Sequence, residues 1–373
     1  MRLSPLEKAQ HKIKLGQPLP FSIRDAAGRL LLARGHVLGN QDQVAAVLDR
    51  GAFVDIDEVT GPRAEILQAP PEKLPGLWRS YAERVASCLH AAPGPQWVPN
   101  IEEAARIGLT LVDRLPDLAI FMIVRGDAHQ QLHYGVMHSV HAAATAALIA
   151  RRLAWDDART LTLMRAALTM NLSIVDLQGR LAAQEQGPNA LQRTAIRQHP
   201  EKSVAMLRAV GATDEDWLMA VAQHHETPDG KGYPQGLTVI HELGEALRVA
   251  DVFTAKLSAR ANRVAMAANL AAKQLFTSQA GSAHCAAVVK EFGIYPPGCF
   301  VSLQSGEVGI VSRRGANAGT PMVDALISRN GERLLQPVRR DSSHRGFGIV
   351  QTVPDAKVMV RVAPERLFAD RLI

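Results

Sequence analysis

The chain has 373 residues, is 47% hydrophobic but only 5% aromatic, and carries a formal net charge of +6 with a pI near 9.4. Its length and apolar content exclude a disordered or fibrous chain and leave room for two or three domains with buried cores. No run reaches the roughly 18 apolar residues of a membrane span, the N-terminus lacks an apolar signal region, and the three scattered cysteines (Cys88, Cys285 and Cys299) exclude a disulfide framework. A soluble cytoplasmic protein with no membrane partner is expected. The positive charge favours anionic ligands, although it is spread along the chain as on an ordinary solvated surface.

Residues 1–58 read as a small α+β module. The runs at Phe21 and Leu30 flank Asp25-Ala-Ala-Gly28, a turn signal, and predict a hairpin. A helix is expected near Gln41–Leu48, followed by a strand over 53–56. Pro62, Pro70, Pro71 and Pro75 then mark residues 59–75 as a linker.

The middle, 76–293, reads as helical. Apolar residues recur at helical spacing over 78–89, and Asn100 with Glu103 predicts a capping box opening the next helix, with Ile107, Leu111 and Leu115 on one face. The short apolar run 118–124 reads as a buried helix end, and further helices are expected at 136–153, 157–171, 189–209, 214–226, 241–260 and 263–277. His199 precedes Pro200, which suggests a helix start there. The tail, 294–373, changes to short strands at 300–303, 307–311, 322–327, 348–353 and 357–362, a small, mostly β module. Its arginines lack aromatic neighbours, so nucleic acid is not an expected partner.

The stretch with the most chemistry is His224-His225-Glu226-Thr227-Pro228-Asp229-Gly230-Lys231-Gly232-Tyr233-Pro234. Adjacent imidazoles followed by a carboxylate suit zinc, iron or manganese. The run Asp229, Gly230, Lys231, Gly232, Tyr233, Pro234 cannot continue a helix and must form a shaped loop. Lys231 supplies a cation, the glycines let backbone amides approach an anion, and Tyr233 could stack on a base or plug the core. His138 and His141, three apart on one helix, read equally as core histidines or ligands; Asp251 could pair with Arg248 or Lys256.

This eleven-residue run resembles the signature of the HD-GYP family, bacterial metal-dependent phosphodiesterases that cleave cyclic di-GMP. The resemblance covers roughly residues 130–262 and continues weakly beyond. His138-Ser139 resembles the family's His-Ser pair, His199-Pro200 its His-Pro position, and Arg248–Phe253 the segment bearing a last aspartate, here Asp251. The resemblance implies a mainly α fold: a helical HD-type core flanked by the small α+β and β-rich modules. It also implies metal ligands at His138, His199, His224, His225 and Asp251, and a ligand-binding role for the loop 229–234.

The sequence departs from the family at its His-Asp doublet and following lysine. Those positions hold Met170, Asn171 and Ile174, and Thr254 replaces the second aspartate. Two-metal hydrolysis needs cations about 3.5–4 Å apart held by a clamp, and the resemblance makes the doublet's aspartate the bridging ligand. A neutral amide does not balance two divalent charges, and a thioether suits Cu(I) rather than iron or manganese. No catalytic residue is therefore assigned, and a partial site is expected, mononuclear, with His199, His224, His225 and Asp251 around one divalent metal (Fe, Mn or Zn). The leading reading is a degenerate signalling protein that binds cyclic di-GMP or a signalling-protein partner with little or no hydrolysis. One alternative is an active phosphodiesterase with a rebuilt site using His138, His141 or Glu185. Another is a pure interaction scaffold.

Overall fold

A computed structural model describes residues 3–126, 133–278 and 281–369. The chain divides into two units, Met1–Pro70 and Pro71–Ile373. Residues 130–132, where the resemblance begins, and 370–373, at the end of the tail, lie outside the described residues.

In the first unit, strands β1 (Leu3–Pro5), β2 (Ile23–Arg24), β3 (Leu30–Leu32) and β4 (Phe53–Asp55) form an antiparallel sheet in the order β1-β4-β2-β3. The expected β2–β3 hairpin is present, and its turn is closed by Asp25, whose carboxylate accepts from the amides of Ala27 and Arg29. Helix α1 (Gln41–Asp49) starts at Asn40, whose side chain caps Gln43 N, and Leu6, Phe21, Ile23 and Val54 form the core. The expected linker at 59–75 is largely helical. Helix α2 spans Ile56–Val59 and α3 spans Pro62–Gln68, tied to this unit by Arg63 on Asp55 at 2.9 Å. Pro62 and Pro75 stand in first turns, where a missing N–H has no helical partner to lose; clustered prolines there announce helix starts.

The second unit opens with a 3-10 turn (Pro71–Lys73) and helix α4 (Leu74–Leu89), followed by α5 (Trp97–Arg114) and α6 (Pro116–Arg125). The predicted capping box fails. Helix α5 begins a turn earlier, at Trp97, so Asn100 lies inside its first turn; Pro99 is tolerated there because those amides are unpaired anyway. Then come α7 (Tyr134–Arg152), α8 (Asp157–Thr169), α9 (Val175–Ala183), α10 (Ala190–Ala209), α11 (Glu215–Gln223), α12 (Glu242–Leu257), α13 (Ala268–Ser278) and α14 (Ala283–Phe292). Three starts follow the local code: Asp156, Asn189 and Asp214 each accept an amide hydrogen bond from the third residue of their helix. Helix α7 is the hub, packed against α8, α12, α14 and α9. Its Ala142, Ala143, Ala146 and Ala147 are fully buried, and small side chains let these neighbours approach from several sides.

The tail is a five-stranded antiparallel sheet, β5 (Phe300–Leu303), β6 (Val308–Arg313), β7 (Met322–Ile327), β8 (Arg333–Asp341) and β9 (Ile349–Val353), in the order β8-β7-β6-β5-β9. Strand β8 escaped sequence reading because it is charged and contains Pro337; both are compatible with its edge position. The strand expected at 357–362 is absent: residues 355–357 form a 3-10 turn and the chain runs on to helix α15 (Pro364–Phe368). Apolar alternation there buries Val360 but finds no strand partner. Helix α15 packs on α4 and on the 3-10 turn before it, with Phe368 edge-on to Phe121 at 5.4 Å. The described helices form the larger part of the molecule, so the fold is mainly α with small antiparallel sheets near both ends. Among the described residues no helix is long and apolar enough to cross a membrane.

Candidate metal and ligand site

Two helix features aim two imidazoles at one point, and a third imidazole joins them. His199 lies within α10, with Pro200 inside the helix, so it is not at a helix start. The proline has no N–H to give the carbonyl four residues back, Ile196 O. His199 Nδ1 takes that orphaned acceptor at 2.6 Å. His224 caps the C-terminus of α11, where terminal carbonyls also lack partners, and its Nδ1 lies 2.7 Å from Val221 O. Each Nδ1 must carry the hydrogen to bond a carbonyl, so each Nε2 presents a lone pair. The two Nε2 atoms face each other at 3.0 Å. Two lone pairs at that distance repel unless a proton or a cation lies between them. His225 completes the group, and one ligand nitrogen from each of the three rings lies within 4.8 Å of the others. This is how metal-binding histidines are usually held, with the far nitrogen fixed by a backbone carbonyl, and the donors suit a borderline cation.

Burial keeps these rings neutral. It lowers the His199 pKa to about 3, reinforced by repulsion from His224, and pushes His224 and His225 down as well. Asp251 on α12 is the nearby countercharge, felt by all three. Of the partners open to it, its carboxylate takes neither Arg248 nor Lys256 but His138 of α7, whose Nε2–H donates to Oδ1 at 2.7 Å. Burial alone would raise its pKa; the His138 hydrogen bond and the surrounding histidines outweigh that and hold it low. The ligand atoms that lie within 4.8 Å of one another are those of the three histidines, and Asp251 stands beside that group. His141 is buried beside His138 and drops to about 4, mainly by desolvation.

At the doublet positions, Met170 ends α8 fully buried and Asn171 follows it, with its Nδ2 buried and without a partner among the described residues. Ile174 is buried in a 3-10 turn. Thr254 donates its hydroxyl to Ala250 O of its own helix at 2.8 Å. Glu185 is exposed in the loop between α9 and α10.

The loop after the histidines is anchored at its base by Glu226. This fully buried carboxylate accepts from Gln235 N at 2.7 Å and Leu237 N at 2.9 Å. Asp229 accepts from the Thr227 hydroxyl and Lys231 N, and Gly230 supplies a left-handed φ of +70°. At Gly232 a Cβ would sit 2.5 Å from Glu226 Cα, so only glycine fits. Tyr233 N is thereby held 3.1 Å from His225 O, and the Tyr233 ring stacks on His225 at 4.5 Å. The ring faces a cluster histidine, neither plugging the apolar core nor standing free. Lys231 and Pro234 are at the loop's outer part, Lys231 exposed and 3.7 Å from Asp229.

Sequence reading missed two supports. Tyr134 stacks on His138 at 5.6 Å and accepts a hydrogen bond from Arg260; its place one turn before His138 was the available signal, obscured by starting that helix at 136. Glu226 stood in the motif, but its role as the loop's clasp depends on amides nine and eleven residues away.

Residues 125–285 match the HD domain family. A cyclic di-GMP phosphodiesterase of Pseudomonas aeruginosa is 31% identical over 210 residues, 52% of this chain and 48% of that protein. A 3'3'-cGAMP-specific phosphodiesterase of Vibrio cholerae is 30% identical over 135 residues, 36% of this chain and 29% of that protein. The matches thus span about half, or less, of each curated relative. An HDG"Y"P protein of Bdellovibrio bacteriovorus has 16% identity and a TM-score of 0.48, covering 78% of this chain and 98% of that one. The matched segment is an HD domain, and it contains the histidine cluster and the loop that follows it.

Proposed function

We propose that the chain is a degenerate HD-GYP signalling protein that holds one divalent cation (iron, manganese or zinc) through His199, His224 and His225. It binds cyclic di-GMP or a related cyclic dinucleotide with little or no hydrolysis. The observation that carries this reading is the pair of facing Nε2 lone pairs, fixed by carbonyls at both far nitrogens. A bound cation supplies Lewis acidity and anchors an anionic ligand. The chain's own residues orient the rings, Asp251 balances charge, and the clasped loop 229–234 walls the site on one side. Met170 and Asn171 leave the second half of a two-metal clamp without a carboxylate.

The test is cyclic di-GMP turnover with Mn²⁺ or anaerobic Fe²⁺, together with metal content. About one metal per chain, nucleotide affinity and no linear product are expected. Restoring the doublet with Met170→His and Asn171→Asp should then introduce chelator-sensitive turnover. A second reading, a phosphodiesterase with a rebuilt site, draws on the buried His138–Asp251 pair beside the cluster. Wild-type turnover abolished by chelator and by His224→Ala would establish it instead.

A further inference from the structure

We propose that Arg197 is the residue that grips the phosphate of the ligand at the three-histidine site. This rests on the reading of that site as one for a cyclic dinucleotide, and it adds a residue that the motif does not contain.

Helix α10 places Arg197 two positions before His199, with its side chain exposed. The guanidinium carbon lies 5.9 Å from the centroid of Tyr233, whose ring stacks on His225. Arg197, Tyr233 and His225 thus form a continuous stack from the rim into the cluster. Beyond that contact the Arg197 side chain is exposed. Arg197 has no carboxylate or hydrogen-bond partner among the described residues. Four other arginines of this unit are spent on carboxylates: Arg151 on Asp113, Arg165 on Asp214, Arg314 on Asp117 and Arg340 on Glu307.

The surrounding chemistry makes a cation necessary. Ile174, apolar and buried, supplies no charge. Lys231 is almost fully exposed and already leans toward Asp229. A phosphodiester drawn to a metal at the three imidazoles would meet Arg197, an uncommitted cation of α10 lying over the Tyr233 ring that stacks on His225. A planar guanidinium suits two phosphate oxygens at once, which a lysine ammonium does not.

The experiment is calorimetric titration of the manganese-loaded full chain with cyclic di-GMP, for the wild type, Arg197→Ala and Arg197→Lys, at low and high salt. Arg197→Ala should bind roughly tenfold to a hundredfold more weakly, with a shallower salt dependence and unchanged manganese content. Arg197→Lys should recover only part of the loss. Undiminished affinity in Arg197→Ala overturns this inference while leaving the nucleotide reading intact. Affinity lost together with manganese also overturns it, because the effect would then run through His199. A wild type that binds no cyclic di-GMP overturns both.

Discussion

His199 keeps its Nδ1 hydrogen on Ile196 O because Pro200 has none to offer, and the direction of Nε2 follows from that one missing atom. Pro200→Ala restores a backbone N–H that competes for Ile196 O, so the ring should lose its fixed tautomer. Metal affinity is expected to fall about tenfold or more with the helix intact, read by competition with a colorimetric chelator. The buried neutral rings also make a pH prediction. Unfolded histidines take up a proton near pH 6.5, whereas His141 and His199 do so only near 4 and 3. Below 6.5 the unfolded state binds more protons, so stability is lost as pH falls. Between pH 6.5 and 5 the metal-free protein should lose on the order of 2 kcal/mol per such histidine, measured as a falling urea midpoint. The motif histidines were legible because their chemistry is local. The partnership of His138 with Asp251 joins residues 113 positions apart, which no spacing rule reaches.

At the level of elements, the loop 229–234 stands on Glu226, and the strength of that clasp can be measured. Glu226→Gln keeps one acceptor oxygen of the two, so one of the Gln235 and Leu237 amides loses its partner. A local loss of about 1–3 kcal/mol is expected, seen as faster hydrogen exchange at those two amides while α7 and α12 stay protected. Gly232→Ala forces the loop away from Glu226 and should weaken the Tyr233–His225 stack, whatever ligand the site takes. Helices with an Asp or Asn at their starts were legible in the sequence, as at 157, 190 and 215. The helix carrying Ile107 and Leu111 was legible too, but its start at Trp97 was not, because no side chain caps it and the prolines before it suggested a break. Strand β8 was hidden for the opposite reason: an edge strand needs no apolar alternation to pair with its single neighbour, so Arg333–Asp341 reads as loop.

Across the second unit, the sheet and the helices are joined at the end of the chain. Leu367 and Phe368 are fully buried, and Glu365 pairs with Arg79 of α4 at 2.5 Å. Deleting residues 364–373 removes burial worth about 3–6 kcal/mol and should lower the melting temperature of the whole unit, not only that of the sheet; an unchanged melt would show that α15 is dispensable. The residue pattern gave no hint of this, since five residues are too short for a helical period to register. The same contact has a topological consequence. Helix α15 rests on the 3-10 turn at Pro71–Lys73, so the polypeptide of this unit returns to where it set out. Residues 71–73 and 364–368 lie side by side across one seam. A short splice across that seam, with a new opening cut in the exposed bend between α9 and α10, would yield a permuted molecule whose histidine cluster is threaded in a different order yet assembled from the same neighbours.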